Sequence, residues 1–182
     1  MWPFKNDPPK EKSAADATRP AQQPRALSFV PPEVIKQIGG LPTVAVYGFM
    51  HGEVLGAGQF QPNPPFLNFL HDVIRHHVPN DPAMQSGARQ QRNGSLSIVD
   101  LRTPEGPQGR VPPEDVIGIF EIKDGAIRPG YYFPNDKYVV FAPGKGPTRL
   151  PPNLLAAFVS ELKKLCTPKP PISDDSRYMP KG

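Results

Sequence analysis

The chain has 182 residues, 27 of them proline and one cysteine; 37% are hydrophobic and the formal net charge is +4. That length fits one domain with tails, and the single cysteine, Cys166, excludes an internal disulfide framework. No stretch approaches the ~20 apolar residues of a membrane span, and the charge is too small and too scattered to demand a nucleic-acid partner. Met1-Trp2-Pro3-Phe4-Lys5 opens without an apolar run, so no signal peptide is read and the expected location is cytoplasmic.

Residues 1–26 are Pro, Lys, Ala, Gln and Asp with few large apolar groups, and are expected to be a disordered tail. Trp2 and Phe4 are its only aromatics. Pro31-Pro32 at the start and Gly39-Gly40 past the end mark a short helix around Glu33–Ile38. Thr43 to Met50, the pair His51-Gly52 and Glu53 to Phe60 read as a hairpin, with Met50 facing Glu53 and Tyr47 facing Gly56. Asn63-Pro64-Pro65 then opens a helix, the Asn side chain expected to cap it. Phe66, Leu67, Phe69, Leu70, Val73, Ile74 and His77 make its apolar face. Residues 79–94 read as a long polar surface loop, Ser95 to Leu101 as a strand, and 102–114 as a Pro/Gly loop.

Val116 to Tyr132 is the clearest element. Asp124-Gly125 accepts positive φ at both central turn positions, so two strands close there as a hairpin. Lys123 then faces Ala126, Ile122 faces Ile127, and Glu121 faces Arg128. Lys137 to Ala142 reads as one more strand and 143–148 as a flexible basic turn. A last helix starts near Pro151-Pro152, with Leu154, Leu155, Phe158, Val159, Leu162 and Leu165 as its buried stripe. Residues 167–182 are again Pro-rich tail. Hairpins imply antiparallel pairing. The expected fold is therefore α+β: a single domain over 27–166, with an antiparallel sheet built from hairpins, two to three helices packed on it, and disordered Pro-rich tails.

Two functional readings follow. The first is a non-enzymatic interaction module without cofactor. It binds another protein, with nucleic acid as the other candidate partner, through the 79–94 and 102–114 loops and the aromatic corner at 131–133. Arg89, Arg92, Arg102 and Arg110 would supply charge, and Tyr131 and Tyr132 stacking surface. The tails act as tethers, and Pro168-Lys169-Pro170-Pro171 can present an extended polyproline segment.

The second reading rests on Asp100 and Glu121-Ile122-Lys123. Glu121 and Lys123 share one strand face, and the set resembles the Asp…Glu-x-Lys arrangement of the restriction-endonuclease-like nucleases. The resemblance implies a magnesium ion held by Asp100 and Glu121, with Lys123 activating water or steadying developing charge. The hairpin register opposes it, because Arg128 opposite Glu121 would form an ordinary cross-strand ion pair. The binding module is therefore the preferred reading.

Other chemistries find less support. The histidines His51, His71, His76 and His77 lack the four-residue spacing of a zinc pair, so no metal site is assigned. Gly144-Lys145-Gly146-Pro147-Thr148 lacks the earlier glycine of a phosphate loop. Cys166 has no histidine near it in sequence, and no serine sits in a Gly-x-Ser-x-Gly turn.

Overall fold

A computed structural model describes residues 23–52, 57–102 and 110–167. In chain order its elements are β1 (Arg25–Leu27), α1 (Pro32–Gln37), β2 (Gly48–Met50), β3 (Phe60–Pro62), α2 (Pro64–His77) and α3 (Pro82–Gln91). They continue with β4 (Gly94–Val99), β5 (Val116–Lys123), β6 (Ala126–Pro134), β7 (Phe141–Ala142), β8 (Gly146–Pro147) and α4 (Pro152–Cys166). The strands form three antiparallel sheets, ordered β1-β2-β3, β4-β5-β6 and β7-β8. The α+β class holds.

The Asp124-Gly125 turn forms as its dihedral tolerance dictates, with φ of 52° and 78°. Lys123 pairs with Ala126 and Ile122 with Ile127. Beyond that the ladder breaks. Phe120 pairs with Tyr132, so Glu121 alone stands against the four residues Arg128 to Tyr131. Pro129 has no N–H to give a ladder and Gly130 weakens one, which is why the strand bulges there. The turn is held from outside as well: the Gly125 N–H donates to the Arg92 carbonyl at 2.6 Å, and the Asp124 N–H to Asn93 Oδ1 at 2.9 Å.

The inner face of this sheet carries Ile98, Phe120, Ile122, Ile127 and Tyr132, all buried. Tyr132 lies over Gly118, where a Cβ would come within 2.3 Å of its hydroxyl, so only glycine leaves room for the ring. α2 is the central helix. It contacts both β6 and α4 and buries Phe66, Leu70, Val73 and Ile74. Phe158 of α4 is fully buried among Phe29, Phe66 and Phe69, at centroid distances of 5.2, 5.6 and 4.9 Å. Rings at this spacing attract beyond their buried area.

Several local expectations are corrected. Residues 79–94 are not a loop: α3 occupies most of them. Asp81 caps it by accepting from the Ala83 and Met84 N–H groups, and Pro82 occupies its first turn. Asn63 precedes α2 but does not cap it; its amide donates to the Thr43 and Val46 carbonyls at 2.8 and 2.7 Å. The second hairpin pairs Met50 with Phe60 and Gly48 with Pro62. Its return therefore begins later than expected, and residues 53–56 lie outside the described residues. Thr43–Ala45 is a 3-10 turn. Only Phe141–Ala142 of the expected strand over 137–142 is paired. Arg25 and Ala26, expected in the tail, complete the edge of β2. Leu165 is 60% exposed although, three residues from Leu162, it shares the helix side of the buried stripe; it lies in the last turn of α4.

His71 is tied to this core through Tyr132, whose hydroxyl lies 2.8 Å from its Nδ1. Burial holds the imidazole below its ordinary pKa, and the Arg75 guanidinium beside it adds to the effect. The unfolded chain then binds the proton more readily. Stability should fall as pH drops through the ordinary histidine range near ~6.5 and level off below the native value. Urea midpoints at about pH 7.5 and about pH 5.5 check this. His71→Gln, which keeps an acceptor for Tyr132 but cannot titrate there, should flatten the difference.

Candidate functional site

Asp100 is completely buried at the end of β4. Its Oδ1 accepts from the Arg102 and Arg149 backbone N–H groups at 3.0 and 2.8 Å, and its Oδ2 from the Tyr138 hydroxyl at 3.0 Å. That hydroxyl also bonds the Thr148 hydroxyl at 2.6 Å. Burial, with the Asp100 carboxylate next to it, pushes the Tyr138 phenol well above its ordinary pKa, so it stays protonated.

Arg102 is the hub of the same cluster. Its Nε lies 2.8 Å from Asp115 Oδ1 and 3.5 Å from Asp100 Oδ2. The remaining guanidinium N–H groups donate to the carbonyls of Val140 at 3.1 Å, Gly146 at 3.4 Å and Glu114 at 3.1 Å, and to that of Val139. Lys145 Nζ closes the far side on Asp115 Oδ2 at 2.8 Å. The basic turn at 143–148 is thus the β7–β8 connection, and its lysine is held in place. These contacts fasten the segments at 100–102, 112–115 and 138–149 to one another, and no side-chain polar atom buried among the described residues lacks a partner.

Glu121 sits elsewhere. It pairs across the sheet with Ser95, five residues before Asp100 along the strand, which separates the two carboxylates by roughly 16 Å at ~3.3 Å per residue. Its Oε2 receives Arg128 Nη1 at 3.0 Å. Lys123 is exposed at the turn on the same strand face. Asp100, Glu121 and Lys123 are therefore not brought together, and among the described residues no three His, Cys, Asp or Glu side chains gather as a metal site. A half-exposed pair such as Glu121–Arg128 contributes about 0.2–1 kcal/mol. Glu121→Ala should accordingly shift the melting midpoint by only a few degrees at most, and any plasmid nicking by the purified chain should be unchanged by it and by magnesium.

The residues expected to bind a partner separate into two groups. Arg89 and Arg92 are exposed near the Asp124-Gly125 turn; Arg110 is exposed at the opposite end of β5. Arg102 and Tyr132 are buried, the first by its five acceptor groups and the second by packing on Phe120 and bonding to His71. Among the described residues the arginines of 79–94 and 102–114 thus do not form one cationic surface; residues 103–109 lie outside the described ones.

What the sheet does expose is apolar. Ile119 on β5 and Phe133 on β6 are cross-strand partners on its outer face, 36% and 60% exposed. Tyr131, two residues before Phe133, is 43% exposed, and the Arg128 guanidinium lies 3.6 Å from its ring centroid. The bulge that Pro129 and Gly130 impose turns Arg128 and Tyr131 out beside each other. Ile119 was legible in the sequence: it has the parity of Glu121 and Lys123, which marks the outward face.

No family model matches the chain, and neither a curated protein nor a solved structure matches it. Among the described residues no helix is long and apolar enough to cross a membrane.

Proposed function

We propose that the protein is a non-enzymatic interaction module that binds another protein through the outer face of the β4-β5-β6 sheet. The observation that carries this reading is the exposed cluster of Ile119, Tyr131 and Phe133 on the outer face of the β5-β6 hairpin. Aromatic and arginine side chains dominate binding energetics when they are desolvated by a partner. Here the Tyr131–Arg128–Glu121 stack is already ordered, so less side-chain freedom is lost on docking.

A protein suits this face better than a nucleic acid. The guanidinium beside Tyr131 covers one side of the ring a base would stack on, and Glu121 neutralises its charge. The exposed arginines Arg89 and Arg92 lie at the end of β5 away from Arg110 rather than along one track with it. Binding should therefore survive salt, where phosphate contacts would weaken steeply with it. Phe133→Ser is expected to reduce partner affinity by roughly 30-fold, the loss of about 2 kcal/mol that marks a hot spot, with no loss of stability. Titration of the isolated partner against both chains at low and high salt checks this. Equal affinities for the two chains would remove the sheet face from the interface.

A further inference from the structure

We infer that one side of α4 is a docking groove for this chain's own C-terminal segment, residues 168–182. Two adjoining hollows share Pro152 and Leu155. One, of about 450 Å³, lies between Phe29, Leu101, Arg149 and Leu155; the other, of about 490 Å³, between Pro31, Leu155, Val159 and Lys163. They make a trough along the helix whose floor is apolar and whose lining contains no carboxylate. Leu155 and Val159 are only half-buried in it, and Leu101 is exposed. Arg149 and Lys163, at its two ends, are exposed, and neither has an ion-pair partner among the described residues.

The neighbouring sequence fits that trough in place and length, and its Asp174-Asp175 pair fits the basic far end in charge. The described chain ends at Thr167, four residues past Lys163. Next come Pro168-Lys169-Pro170-Pro171-Ile172 and, after Ser173, Asp174-Asp175. Proline-rich segments lose little entropy on docking and suit shallow apolar grooves. At ~3.1 Å per residue, the stretch from 167 to 175 spans roughly 25 Å, and α4 is roughly 22 Å long at ~1.5 Å per residue. A segment folding back along the trough would lay Pro170, Pro171 and Ile172 over Val159 and Leu155. It would bring Asp174 and Asp175 level with Arg149. Lys163, at the near end, can donate to the carbonyls that an extended proline-rich backbone leaves unbonded. Tethering supplies an effective concentration in the millimolar range, so even weak contacts suffice.

The test uses the full chain carrying Cys166→Ser and Ser176→Cys, with a nitroxide on the new thiol. Methyl signals of Leu101, Leu155 and Val159 should lose most of their intensity until the label is reduced, while Ile119 on the outer sheet face is unchanged. Asp174→Lys with Asp175→Lys should restore much of the lost signal. A second sample mixes isotope-labelled chain without nitroxide and unlabelled chain with it. Broadening confined to that mixture would place a second copy in the trough and overturn the assignment, as would unchanged Leu155 and Val159 signals in the single chain.

Discussion

Replacing Arg102 with methionine is expected to destabilise the protein by about 3–5 kcal/mol, the cost of removing one partner from a buried ion pair. Asp115 and Asp100 are both completely buried, and Arg102 Nε lies 2.8 Å from Asp115 Oδ1 and 3.5 Å from Asp100 Oδ2. At 2–4 °C per kcal/mol for a chain of this size, the melting midpoint should fall by roughly 10 °C. Arg102→Lys should recover little of this. An ammonium is a compact point donor, whereas the guanidinium fork reaches Asp115 and four backbone carbonyls at once. Urea unfolding of the three chains measures the effect. A wild-type midpoint for the lysine variant would mean that charge, rather than the fork, holds these segments together.

Phe158→Ala ranks beside it, at about 3–5 kcal/mol for deleting a fully buried ring. The reason is position. Phe158 lies where α4, α2 and the segment carrying Phe29 meet, and its three aromatic neighbours belong to elements distant in sequence. These rings cannot all follow a vanished partner inward, so a cavity remains. Phe158→Leu should lose substantially less. Thermal unfolding of both variants decides it; equal losses would show that volume at this position matters little. Neither Arg102 nor Phe158 lies on the outer sheet face, so any variant that still folds should keep its partner affinity.

The parts of the fold legible in the sequence are those set by local chemistry. Asp124-Gly125 specifies its own turn, and the i, i+3, i+4 spacing of Phe66, Leu70, Val73 and Ile74 specifies α2. α3 escaped because it buries only Ala88 fully, so no apolar stripe announces it; the Asp81-Pro82 pair was its one signal. The site divides in the same way. The Glu121–Arg128 ion pair followed from the expected hairpin register and forms, although the bulge takes Glu121 out of the β5-β6 ladder. That Arg102 and Tyr132 are core groups did not, because a loop arginine becomes buried only when segments at 112–115, 138–140 and 146 converge on it. Long-range convergence of that kind leaves no periodicity in a single sequence.

The most direct test places p-benzoylphenylalanine at position 133 of the full chain, with a second chain carrying it at position 165, and irradiates each in its native cells. If the outer sheet face is the binding surface, position 133 gives a discrete protein adduct that Tyr131→Ser and Ile119→Ser abolish, and position 165 does not give it. No adduct at 133, or the same adduct from 165, would contradict the assignment.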